Sequence, residues 1–153
     1  MKIAVIGAGA MGSIYASFLA KNNNEVIAID LWEDHLDAIR TNGLRVSGFS
    51  GDNTVKNIKA SNKIEDAKDC ELFIIATKAD GVGSVASKLS NIISDNSLIL
   101  TIQNGLGAGE RIASYMSSKN ILLKVRVLLN SHSSQVFFIS SYSLLPLLLP
   151  ISV

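Results

Sequence analysis

Three glycines, Gly7, Gly9 and Gly12, stand in the run "GAGAMG", directly after the apolar stretch "IAVI" (3–6) and directly before a helix-like pattern that starts near Ala10. The spacing G-x-G-x-x-G suits a loop that receives a diphosphate. Gly7 permits a tight turn. Gly9 lacks the Cβ that would hold a pyrophosphate off the backbone, and Gly12 lets the helix pack closely on the strand. Ala8, Ala10 and Met11 complete the loop and the first helical positions. A helix start there presents free N–H groups and a partial positive charge to phosphate. The plainer reading is a tight turn and nothing more.

Context decides between them. A dinucleotide loop requires an acidic residue about 20 positions on, at the end of the second strand. Asp30 closes "VIAID", 18 residues after Gly12. Its carboxylate suits the hydroxyls of an adenosine ribose and repels a 2′-phosphate. Leu31 and Trp32 follow it, and the nearest base is Arg40, so the local chemistry leans to NAD over NADP. The competing role for Asp30 is a helix cap. A flavin is the other dinucleotide, but the module has the simple nicotinamide form. Two further polar groups end apolar runs. Lys78 follows "IIAT", and Gln103-Asn104-Gly105 follows "LILTI". In open α/β sheets ligands lie at the carboxyl ends of the strands, where a lysine meets phosphate, ribose or an anionic substrate. The Asn104 amide offers both donor and acceptor to a carboxamide or hydroxyl. The plainer readings are a solvated lysine and an Asn-Gly turn.

The elements that must carry these groups alternate along residues 1–123. Apolar runs at 3–6, 26–29, 72–76 and 98–102 are continuous, as in parallel strands covered on both faces. Between them, Met11, Ile14, Tyr15, Phe18 and Leu19 recur at helical spacing, as do Val82, Val85, Ala86, Leu89 and Ile93. Leu36 and Ile39 mark a shorter helix that Gly43 stops. Segments 44–48 and 55–59 read as a small antiparallel excursion. The expected fold is α/β: a Rossmann-like, doubly wound, mostly parallel sheet with right-handed crossovers.

A formal net charge of +1 removes any electrostatic case for a nucleic-acid binder. Cys70 is the one cysteine, so no internal disulfide forms, and beside "LFIIA" it reads as a buried thiol rather than a nucleophile. No metal site is expected. Lys2 leads into a run too short for a signal-peptide core, which suggests a cytoplasmic protein. The far end differs. All 27 charged residues lie at or before Arg126, every glycine lies at or before Gly109, and Leu and Ser supply 14 of the last 27 positions. A membrane anchor, a buried strand with its loop, and a non-native end from a shifted frame or a truncated gene are the three readings of that tail; the third is favoured, and no membrane contact is expected. The chain is therefore divided into a dinucleotide-binding domain over 1–123 and an atypical Leu/Ser-rich tail over 124–153.

The order "KIAVIGAGAMGSIYASFLA", "DHLDAIRTNGLRV", "FIIATKADGV", "TIQNGLG" resembles the N-terminal dinucleotide domain of the ketopantoate reductases (2-dehydropantoate 2-reductases). The resemblance implies hydride transfer from NADH or NADPH to the 2-keto group of ketopantoate, giving pantoate for pantothenate and coenzyme A synthesis. It implies that Lys78 and Asn104 border the cofactor and substrate pocket. It also implies that the acid serving the carbonyl is a lysine of a second, helical domain, so no residue of this chain is assigned a catalytic role. Asp30-Leu31 departs from the basic residue often found there in NADPH-using members. The expected behaviour is cofactor binding without efficient turnover. The alternatives are a non-catalytic nucleotide-binding fragment and a dehydrogenase of another 2-keto or 3-hydroxy acid. The implied partner is a small 2-keto acid. An apolar face left by a missing domain would favour a homo-oligomer.

Overall fold

The computed structural model describes residues 1–48, 51–103, 107–117, 119, 121–128 and 134–140. Among the described residues, nine strands and four α-helices follow one another: β1 (Lys2–Ile6), α1 (Ala10–Lys21), β2 (Glu25–Ile29), α2 (Glu33–Asn42), β3 (Leu44–Gly48), β4 (Gly51–Val55), β5 (Ile58–Ser61), β6 (Leu72–Ile75), α3 (Val82–Leu89), β7 (Leu98–Thr101), α4 (Ala108–Ala113), β8 (Ile121–Leu128) and β9 (Ser134–Ser140). Seven strands form one sheet in the order β5-β2-β1-β6-β7-β8-β9. Neighbours are parallel from β5 through β8, and only β9 runs antiparallel, against β8. The chain winds outward from β1 through β2 to β5, then returns to the other side of β1 as β6. The expected doubly wound, mostly parallel, Rossmann-like sheet is the one observed.

The continuous apolar runs are explained by two cores, one on each face of the sheet. Along β1, Ala4 and Ile6 face Phe73, Ile75, Val82, Ala86, Leu89 and Ile112, under α3 and α4. Ile3 and Val5 face Ala16, Ala20, Ile39, Leu44 and Ile74, under α1 and α2. Side chains alternate across a strand, so a strand covered twice must be apolar at every position.

Two local expectations need correction. The apolar spacing on α1 marks its buried side only in part: Tyr15 and Leu19 pack against the core. Met11, Ile14 and Phe18 are exposed, while the buried stripe is Gly12, Ala16, Ser17 and Ala20. Small residues let the helix axis approach the strands, and that close approach outweighs the burial of larger side chains here. The excursion after α2 is also drawn differently. Leu44–Gly48 does turn back, but onto Gly51–Val55, register Leu44↔Val55 to Gly48↔Gly51. Residues from Ile58 onward leave it and join the main sheet as β5, parallel to β2. The polar composition "GDNTV" hides β4, because its side chains are mostly exposed. Among the described residues, no helix is long and apolar enough to cross a membrane.

Candidate functional site

The strand order reverses between β1 and β6, so the crevice at their carboxyl ends is a topological switch point. The glycine loop after β1 lies in it, facing the turns after β2 and β6. Each loop glycine meets different surroundings. Gly7 has φ +98, and a Cβ on it would lie 2.7 Å from the Thr77 nitrogen and 2.8 Å from the Ala76 carbonyl carbon. A Cβ on Gly12 would lie 1.7 Å from the Gly7 carbonyl oxygen, so only glycine lets α1 start this close to the turn. A Cβ on Gly9 would meet nothing within 4 Å. No described residue requires glycine at that position, and the open space lies against bare backbone.

Donors stand around that space. Gly9 is the N-cap of α1, with no side-chain cap, and the first helical bond runs from the Ser13 N–H to the Gly9 carbonyl at 2.8 Å. The N–H groups of Gly9, Ala10, Met11 and Gly12 donate to no described residue. Four amides without a described partner at a helix start, with the positive end of its dipole behind them, are an arrangement that can receive an anion.

Asp30 closes the rim. Its Oδ2 accepts the Ala8 N–H at 2.5 Å, and its Oδ1 accepts the N–H groups of Leu31 at 2.7 Å and Trp32 at 3.1 Å. The carboxylate thus ties the glycine loop to the turn that enters α2, whose N-cap is Trp32 with no side-chain cap bond. An ionised carboxylate has about four acceptor positions, and described residues use three, so one is left for a further donor. Gly7 is anchored to the same strand end, its N–H donating to the Ile29 carbonyl at 2.8 Å.

A cavity of about 400 Å³ opens between these turns, lined by Gly7, Asp30, Leu31, Thr77 and Lys78 and, from the segment after β5, by Lys63. Lys78 stands at the end of β6, exposed at the cavity rim, where the sequence predicted it. Thr77 Oγ1 is buried and has no partner among the described residues. Lys63 and Thr77 escape a sequence reading: Lys63 lies 33 positions from Asp30 and reaches it only because β5 pairs with β2, the Asp30 N–H donating to the Ser61 carbonyl at 3.2 Å. Gln103 is structural. Its Nε2 donates to the carbonyls of Ile75 at 3.1 Å and Thr77 at 2.8 Å, and its Oε1 takes the Thr101 hydroxyl, so it splices the ends of β6 and β7. Asn104 lies outside the described residues. A second cavity, of about 430 Å³, sits at the opposite edge of the sheet beside Lys2 and Cys70, away from the switch point.

On the hairpin, the hydrogen bond from Arg45 holds the Asp52 carboxyl below the usual carboxylate range. Burial pushes the half-buried Cys70 thiol up, in keeping with an unreactive side chain.

The family model described as ketopantoate reductase PanE/ApbA matches residues 3–136. The 2-dehydropantoate 2-reductase of Streptococcus pyogenes serotype M3 is 36% identical over 127 residues, covering 83% of this chain and 41% of that protein. That of Lactococcus lactis is 32% identical, covering 80% and 40%. Among solved structures, 2-dehydropantoate 2-reductase from Geobacter metallireducens superposes with a TM-score of 0.80 at 25% identity, covering 93% of this chain and 50% of that one. A ternary structure of D-mandelate dehydrogenase with NADH and anilino(oxo)acetate superposes with a TM-score of 0.72 at 30% identity, covering 84% and 42%. The chain thus spans about two fifths of the length of these curated relatives. With a family match over residues 3–136, a span that contains the glycine loop, Asp30 and Lys78, this chain belongs to the ketopantoate reductase PanE/ApbA family.

Proposed function

We propose that the chain binds a nicotinamide dinucleotide across the glycine loop and serves the reduction of 2-dehydropantoate to pantoate. The observation that carries the reading is Gly9, with open space where a side chain would be, in a run of four amides that donate to no described residue. The residues fit the group. Gly9, Ala10, Met11 and Gly12 would hold the diphosphate, Asp30 the adenosine ribose, Lys78 the phosphate or ribose edge, and Asn104 the nicotinamide end; Gly7 and Ala8 shape the turn. Thr77 Oγ1 adds an unused polar atom in the cavity wall. When bound, the nicotinamide supplies the hydride that reduces the keto carbon. The chain's own part is to bind, orient and screen that cofactor. The acid needed by the developing alkoxide is supplied, on this reading, from the portion of the relatives that the chain does not span.

NADH is proposed as the preferred form. Asp30 at the ribose and Leu31 after it support this, as does the NADH held by the similar D-mandelate dehydrogenase. Lys63 and Lys78 on the same cavity give NADPH a weaker claim. The boundary near residue 123 is part of the proposal: β8 pairs with β7 only as far as Thr101↔Leu123, although the family match continues to residue 136. A cytoplasmic location belongs to the same reading. So does self-association through the exposed Met11, Ile14 and Phe18. A second substrate reading, another 2-keto acid, is favoured by the resemblance to D-mandelate dehydrogenase. Titration of the purified chain with NADH and NADPH, followed by fluorescence, tests the proposal. Saturable binding in the micromolar-to-millimolar range is expected, and binding of neither would overturn it.

A further inference from the structure

His35 lies on α2, outside the motif, yet its Nε2 sits 3.0 Å from the Ala8 carbonyl oxygen. A carbonyl only accepts, so Nε2 carries the hydrogen and donates. The same oxygen accepts the Ser13 hydroxyl at 2.8 Å. The His35 ring is held from one side by Trp32, the two stacked with centroids 5.2 Å apart and planes at 26°. The Ala8 carbonyl and the Gly9 N–H belong to one trans peptide, so they point in opposite directions. A donor that draws the carbonyl toward α2 turns the Gly9 N–H away from α2. That N–H donates to no described residue, and Gly9 is the loop glycine with open space beside it.

We propose that His35 is a positioning residue for the glycine loop: through the Ala8 carbonyl it fixes the 8–9 peptide so that the Gly9 N–H is presented to a diphosphate, with Trp32 as the buttress of the imidazole. The inference rests on the dinucleotide reading above. It places a residue 23 positions beyond Gly12 in the service of the loop. Asp30 and His35 then act as a pair on neighbouring peptides, one holding the Ala8 N–H and the other its carbonyl.

Three substitutions separate the donor from the ring. His35→Phe keeps the stack on Trp32 and removes the donor; His35→Gln supplies an amide donor without the ring; His35→Ala removes both. Calorimetric titration with ADP-ribose and with NADH, beside a thermal melt of each chain, gives the readouts. Loss of one orienting hydrogen bond should weaken binding about fivefold in His35→Phe and His35→Ala. His35→Gln should return to within about twofold of the parent, and the melts of Phe and Gln variants should coincide within about 2 °C, as for two single surface-helix changes. If Ala melts early, the Phe and Gln pair carries the comparison. Equal affinity of His35→Phe and the parent would overturn the proposal, as would equal losses in Phe and Gln. A parent chain that binds neither ligand would overturn the dinucleotide reading and this inference with it.

Discussion

Gly9→Ala separates folding from binding. The residue has φ −67 and ψ −166, an extended conformation open to any L-residue, and its new methyl would meet nothing within 4 Å. Two small effects on stability oppose each other. Alanine is a poorer N-cap than glycine, at a cost of about 0.5–1 kcal/mol. Removing glycine's freedom from the unfolded chain returns about 0.4–1 kcal/mol. The net is within about 0.5 kcal/mol, or about 1–2 °C in Tm for a chain of this length. Binding should change far more. A methyl group placed in a close phosphate contact costs about 1–3 kcal/mol by overpacking, which is about 5- to 150-fold in Kd. Gly12→Ala is the control of opposite sign. Its methyl would sit 1.7 Å from the Gly7 carbonyl oxygen, a backbone atom with nowhere to go. The cost there is about 3 kcal/mol or more, lowering Tm by about 6–12 °C. The assay is calorimetric titration with NADH beside a thermal melt. A Gly9→Ala chain that melts like the parent and binds NADH within twofold of it would refute the idea that the diphosphate rests on Gly9.

Asp30→Ala should weaken NADH about tenfold, through loss of charged hydrogen bonds to ribose, and NADPH by no more than about threefold; equal losses in a paired titration would remove the case for NADH preference. Lys63→Ala should weaken NADPH by about two- to fivefold and leave NADH nearly unchanged, the effect fading at high salt because the lysine is exposed; a loss that ignores salt would argue against a charge contact. On the hairpin, Arg45→Met should raise the Asp52 titration midpoint seen by carboxyl NMR. The folded-state value is depressed, so whatever the pair contributes to stability is present at neutral pH and is lost as the pH falls through that value.

The sheet was readable because burial on both faces forces unbroken apolar runs, and β1, β2, β6 and β7 all carry one. The loop was readable because Gly7 and Gly12 answer steric demands that only glycine meets, and those demands recur at fixed spacing. Other features were hidden for physical reasons. The fully buried positions of α1 are glycine, alanine and serine, which carry little hydropathy signal, while Phe18 advertises a face that is exposed. In β4 the polar side chains conceal a strand that pairs with β3 from Leu44↔Val55 to Gly48↔Gly51. Lys63, Thr77 and His35 reach the site through strand pairing and helix packing, between positions 22 or more apart in the chain. No local spacing encodes such a meeting. Asn104, the one candidate with a direct chemical role at the nicotinamide end, lies outside the described residues.

The narrow waist between α1 and the sheet makes the proposed phosphate cradle dependent on positions outside the glycine loop. Ala16 and Ala20 are shims: they set the height at which the whole helix rides, and therefore where its first turn ends up. A bulkier side chain at either would lift the far end like a lever and pull the amides out of alignment, even with every loop residue left as it is. Variation in this protein is thus constrained two turns away from the chemistry, by thickness rather than by charge.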